Sequence, residues 1–263
     1  MKQMIWSGQG PIYFGTYDPS AGTPEMGFMR NIFRVGCANR TLTTTPGRET
    51  RNIKETCSGQ RLDIAELETS KSLQVRIDMA QFDREVLARA LFAVSTLKDE
   101  GSATDETLPE LAAGDYFFLR HTDASEVVLT DSKMDGETPD PQTLVAGTHY
   151  TMVDAAQGVG QIISVDGVEQ PIKVAYSHGA YGNIAAFTQT SAQTGVIFTG
   201  RNQDGDKARV MIPRVSLSLQ GDFSWISDEE SVLQLQGPAF YVPELDTEGS
   251  DFGPFMRVSG LPD

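Results

Sequence analysis

The sequence predicts a mainly β protein with one helix, a β-sandwich or barrel carrying extended N- and C-terminal arms. Three observations predict it. Short stretches of alternating apolar and polar residues recur about ten times between turn signals. One stretch alone repeats its apolar residues at three and four. Both ends mix glycine or proline with aromatic residues and show no period. The 263 residues show no repeat and no low-complexity linker. The expected organisation is an N-terminal arm, 1–30, a β domain, 31–242, elaborated around 99–170, and a C-terminal arm, 243–263.

In the first segment Gly8, Gly10, Pro11, Gly15, Pro19, Gly22, Pro24 and Gly27 interrupt any regular element. Ile5, Trp6, Ile12, Tyr13, Phe14, Tyr17, Met26 and Phe28 are dispersed through it, and a disordered tail is poor in aromatics. Such an arm docks either on its own domain or on a neighbouring subunit. Phe33, Val35 and Cys37 then alternate with polar residues, as do Leu62 and Ile64, and Leu73, Val75 and Ile77. Between them, 40–56 is rich in Thr and Arg, which fits a long exposed loop or a ribbon with both faces wet.

The helix is marked by Met79, Phe82, Val86, Ala90, Ala93 and Val94, with Leu87 and Leu91 widening the stripe. Asp78 and Gln81 form its expected capping box, Glu85 and Arg89 an exposed i,i+4 pair, and it should run about 17 residues to 95–98. Strands are expected at 115–119, 126–130, 149–153, 160–165, 172–176, 185–190, 195–199, 208–219 and 231–236. Asp123-Ala124-Ser125 supplies turn chemistry, and Asp166-Gly167 and Asp204-Gly205 read as tight hairpin turns.

The net charge of −15 argues against general affinity for nucleic-acid phosphates and for anionic membranes. No apolar run approaches the roughly 20 residues of a membrane span, and the first residues lack a signal-peptide core, so folding in the cytoplasm is expected. Cys37 and Cys57 are too few for a disulfide framework or a zinc site and read as free thiols on strands. His121, His149 and His178 lie in unrelated segments without metal-ligand spacing. Neither a nucleophile elbow nor a phosphate-binding loop is present. The turn Asn202-x-Asp204-Gly205-Asp206 lacks the late glutamate of a calcium loop. Neither enzymatic activity, nor a metal, nor a cofactor is expected. Charge is unevenly distributed: nine basic and five acidic residues lie in 30–76, against two and twelve in 99–140. Opposite signs on opposite faces would favour head-to-tail contacts that build rings and filaments.

The order of these pieces resembles the major tail (tail tube) proteins of long, non-contractile-tailed bacteriophages. The matching pieces are the strand Ile32 to Asn39, the Thr-rich segment holding Glu55-Thr56-Cys57-Ser58-Gly59, and the strand pair and helix through 65–91. Later come Val196 to Gly205, Val210 to Gln220, Phe223 to Glu229 and the short strand Val232 to Gly237. Leu144 to Tyr150 looks like a loop-to-strand segment of larger members. The likeness spans roughly 28–240; no single motif in it is diagnostic.

The resemblance implies a structural virion protein. Homohexameric rings would stack into a tube, assembled in the host bacterial cytoplasm, that delivers DNA. Implied partners are further copies of the chain, the tail-tip and tail-terminator proteins, and a tape measure protein in the lumen before DNA. DNA would pass without specific binding, and no membrane is involved. Strands around 63–78 and 210–220 would line the channel, and six copies would carry roughly −90 per ring, which repels phosphates. Arg48, Arg51 and Lys54 are the expected contacts between stacked rings. Trp6, Tyr13 and Phe14 of one arm and Phe252 and Phe255 of the other would bridge subunits. The alternatives are a type VI secretion-like tube protein, a carbohydrate-binding or adhesin β-sandwich module, and last a hydrolase.

Overall fold

A computed structural model describes residues 6–20, 22–190, 193–246 and 251–262. In chain order β1 is Ile12–Tyr17, β2 Met29–Arg34, β3 Asn39–Lys54 and β4 Asp63–Met79, followed by α1, Arg84–Ala90. Then come β5 Val94–Lys98, β6 Gly101–Thr107, β7 Tyr116–Phe118, β8 Ala124–Thr130, β9 Met134–Asp135 and β10 Thr138–Pro139. They are followed by β11 Tyr150–Asp154, β12 Val159–Ile162, β13 Lys173–His178 and β14 Tyr181–Ala185. The last strands are β15 Gln193–Arg201, β16 Lys207–Ser216, β17 Ser218–Leu219, β18 Leu233–Ala239 and β19 Arg257–Ser259. Half of the chain is strand and 5% helical, so the fold is mainly β with one α-helix among the described residues.

The chain forms two compact units, 1–95 with 184–263, and 96–183. The larger unit is built on a nine-stranded sheet of order β2-β1-β15-β16-β18-β4-β3, with β17 beside β18 and β19 beside β16. Its neighbours pair antiparallel. Period-two alternation puts Phe14, Val196, Ile212, Leu235 and Ile77 on one face, all essentially inaccessible, and Val86 of α1 packs into the same core. The strands expected to line a channel, β4 and β16, flank β18 in this sheet.

The smaller unit is a sandwich of two three-stranded sheets, β6-β13-β8 and β7-β12-β11. Leu129, Val174 and Tyr176 from one sheet meet Phe117, Ile162 and Tyr150 from the other in a single core. The buried Asp131 carboxylate accepts the amides of Gln142 at 2.6 Å and Lys133 at 3.2 Å, as a buried charge requires. β9 and β10 form a separate exposed hairpin. Asp166 and Gly167 do turn the chain, but they join strands of different sheets rather than close a hairpin.

Several expectations are corrected. Among the described residues of 1–30, 12–17 and 29–30 are not an arm, because β1 and β2 are integral to the sheet and Phe14 is in its core. Ile5 lies outside the described residues. The C-terminal segment returns to the sheet through β19, whose Val258 pairs with Val210.

The helix spans seven residues, not 17. Met79 belongs to β4, and Asp83, not Asp78, caps the helix by accepting the Val86 amide at 2.9 Å. Phe92, at φ 49°, then turns the chain into β5. Arg89 is not an exposed ion pair either: its guanidinium bonds Thr194 Oγ1 at 3.1 Å and Thr16 Oγ1 at 3.2 Å. The segment 185–190 is not a strand beyond Ala185, since β14 begins earlier, at Tyr181.

Gly237 of β18 has no room for a side chain: an added Cβ would lie 1.8 Å from the Ser216 carbonyl oxygen, a backbone atom. Gly237→Ala is therefore expected to destabilise the larger unit by about 2 kcal/mol, read as a lower denaturation midpoint in urea.

Candidate interaction surfaces

The stretch 40–59 is neither loop nor core. It lies mostly in β3, which pairs with β4 along nearly its whole length. β4 carries two environments. Residues 73–79 lie between β3 and β18 and bury Leu73, Val75, Ile77 and Met79. Residues 63–72 pair with β3 alone and are exposed throughout. The result is a two-stranded ribbon extending about 30 Å beyond the sheet. Its turn is closed by the Glu55 amide donating to the Leu62 carbonyl at 2.9 Å.

The outer ribbon is amphipathic. The register sets Arg51 against Leu67 and Ile53 against Ala65, so these four share one face. Thr50, Asn52, Glu66 and Glu68 share the other. Ile53 and Leu67 are 43% and 53% exposed, and Leu62 and Ile64 at the tip 55% and 65%. Apolar side chains held in water on both strands of a projecting ribbon mark an interaction surface. β3 is also an edge of the sheet, as is β2, so both offer unpaired backbone groups for strand addition.

Of the three cations expected between rings, Arg48, Arg51 and Lys54, two are engaged within the ribbon. Arg48 Nε donates to Glu68 Oε2 at 2.8 Å, and Lys54 Nζ lies 3.7 Å from Asp63. Lys71 at 2.9 Å and Arg48 together hold the Glu68 carboxyl below its ordinary range. Among the described residues Arg51 makes no ion pair.

The aromatic residues expected to bridge subunits fall into two groups. Trp6 is 39% exposed, lies against Gly8 and Gly200, and lines a groove of about 610 Å³ with Phe198, Leu42 and Val210. Tyr13 is half-buried between Arg34 and Ile197. Phe14, in contrast, is wholly buried and unavailable to another subunit. Phe252 packs on Phe28, Val242 and Leu245, with the Arg257 guanidinium 4.2 Å from its ring centroid. Phe255 packs on the main core beside Tyr241. Both pack within their own unit and hold the C-terminal segment there.

Cys37 and Cys57 are free and exposed, but neither lies on a strand; Cys57 is in the ribbon turn. The Asn202–Asp206 turn closes the β15–β16 hairpin through its own side chains, Asn202 Oδ1 accepting the Asp206 amide at 2.7 Å. Charge is divided unequally between the units. Residues 96–183 contain fifteen acidic and four basic side chains, the rest of the chain twenty-one and seventeen.

One cluster has no local signal in the sequence. His121 and His178 stack face to face, with centroids 4.0 Å apart and rings 7° from parallel. His121 Nδ1 is 2.9 Å from the Tyr181 hydroxyl. Tyr176 donates to Glu106 Oε2 at 2.6 Å, and burial with this bond pushes its phenol well above the ordinary range. Burial lowers the His121 pKa, and His178, Arg120 and Lys98 oppose its protonation further, against Glu106. Among the described residues no group of three or more His, Cys, Asp or Glu could hold a metal.

The model of one protein family, described as a protein of unknown function (UCP028589), matches residues 5–259. No curated protein matches the chain.

Burial of His121 gives the smaller unit a pH dependence of definite sign. The unfolded chain takes up a proton on His121 near pH 6.5, and the folded one only at lower pH. The stabilisation is full above that value and declines as pH falls. Thermal melts of the smaller unit are expected to fall between about pH 7 and about pH 5, and His121→Phe, which cannot titrate, to flatten the decline.

Proposed function

We propose that this chain, which belongs to the family of unknown function UCP028589, is a structural subunit that polymerises as stacked hexameric rings into the tail tube of a long-tailed bacteriophage. The observation that carries the reading is the β3–β4 ribbon. A protein that acts alone gains nothing from a 16-residue edge strand and exposed apolar side chains held clear of its own core. In a stack, the ribbon reaches the next ring and its Arg51–Ile53–Leu67 face is covered. Strand addition at the open edges, β2 and β3, joins neighbours within a ring. The lumen serves first the tape measure protein and then DNA, and tail-tip and terminator proteins start and stop the stack.

The charge distribution changes how such a channel works. Fifteen of the 36 acids lie in 96–183 with only four bases, while the unit bearing the large sheet is nearly balanced. A whole-ring charge of roughly −90 is thus not the charge of the large sheet that would line the channel in this reading. Low adhesion to DNA then depends on the few side chains that line the channel.

A second reading, a carbohydrate-binding module, draws support from β7. Tyr116 and Phe118 alternate on one face and are 55% and 70% exposed, as an aromatic platform for sugar rings would be. Sugar binding by a chain that never assembles would favour it.

Ribbon variants test the tube reading. Ile53→Ser with Leu67→Ser removes apolar surface that is already exposed, so monomer stability should change by less than about 0.5 kcal/mol. Arg48→Glu with Arg51→Glu breaks only an exposed pair, worth up to about 1 kcal/mol. Both variants are expected to stay folded and to lose sedimentable polymer. Polymerisation at the wild-type level by both would exclude the ribbon as the contact between rings.

A further inference from the structure

Arg201 and Lys207 are directly opposed across the β15–β16 hairpin, and Arg209 is two residues on from Lys207. All three therefore project from one face of the sheet. They are exposed and, among the described residues, none of the three forms an ion pair. Together they line a depression of about 600 Å³ that includes Gln9, Thr199 and Ser259 and no carboxylate. Like charges directly opposed across an antiparallel pair repel one another and weaken the hairpin. An anion seated in the depression relieves that repulsion, so the surface is suited to an acidic partner.

The chain itself carries a fitting partner surface. In the smaller unit, the isolated hairpin β9–β10 exposes Asp135, Glu137 and Asp140 within six residues. None of these carboxylates is ion-paired among the described residues. The turn is tight: Asp135 pairs with Thr138, and Gly136 adopts φ 62°. Two of the acids therefore sit at a narrow tip, a shape that enters a shallow depression.

We propose that the Arg201–Lys207–Arg209 face of one copy receives the acidic β9–β10 hairpin of a second copy. The contact is heterologous, since different surfaces meet, and repetition of it generates a ring or a filament. The proposal rests on the self-assembly reading only in taking a second copy as the partner. Charge complementarity selects that copy over nucleic acid, because each chain brings the acidic hairpin at the same concentration as its receptor.

Charge exchange in the full-length chain tests it, with sedimentation velocity over a concentration series from about 50 to about 500 mM NaCl. Wild-type association is expected to weaken with salt. Arg201→Glu with Arg209→Glu, and separately Asp135→Arg with Glu137→Arg, are each expected to weaken it at least about tenfold. The chain with all four substitutions is expected to recover most of the loss, which simple misfolding would not produce. Association of the Arg201→Glu, Arg209→Glu chain at the wild-type level, or no recovery in the fourfold chain, overturns the contact. Anisotropy with a duplex DNA is the companion measurement. Binding that the same two substitutions abolish, with self-association intact, assigns the face to phosphates and also overturns it.

The two proposals fail separately. Tubes that form regardless of these charges leave the tube reading standing without this contact. Salt-sensitive oligomers that never form tubes, but are rescued by the exchange, support the contact and remove the tube. A wild-type chain that stays monomeric throughout overturns the contact.

Discussion

Residues 73–79 of β4 are the anchor on which the larger unit depends. They are hydrogen-bonded to β3 on one side and β18 on the other, and Val75, Ile77 and Met79 are wholly buried. Burial of each such side chain contributes about 1.5–3 kcal/mol. That anchoring lets the same two strands continue outward as a ribbon without a third strand. An isolated two-stranded ribbon is marginal in water, so the outer half depends on its root and on cross-strand pairs such as Arg48–Glu68. The anchor thus links the core of the sheet to the surface on which the proposed assembly depends.

The same logic separates the roles of the two units. The larger one combines open strand edges, a projecting ribbon and a cationic depression, all features that remain incomplete in a single copy. The smaller one is a finished sandwich with its own core, and it carries most of the net negative charge. Positive and negative surfaces on different units of one chain favour association between copies, and salt weakens such contacts.

Much of the strand content was legible in the sequence because one face of each strand is buried. Alternation at 126–130, 172–176, 195–199 and 208–219 matches β8, β13, β15 and β16 closely. The ribbon was harder to read for the opposite reason: with both faces in water, its alternation is only partial, and a polar Thr- and Arg-rich stretch looks like a loop. Glycine and proline concealed β1, where Ile12 and Phe14 alternate inward but Gly10, Pro11 and Gly15 suggest an arm. The helix is shorter than the apolar stripe suggests because Met79 and Val94, in phase with that stripe, belong to strands on either side. His121 and His178 are far apart in sequence, and only the pairing of β13 with β8 brings them together. The cation triad needed the register of β15 and β16, which fixes which side chains share a face.

The central claim is that the ribbon and open edges belong to a polymer. Negative-stain electron microscopy of the purified full-length chain across a concentration series tests it most directly. The account predicts hollow tubes of uniform diameter with a regular axial repeat, or stacked rings leading to them. Compact single particles at every concentration, with the ribbon fully exchanging its amide hydrogens, would contradict it.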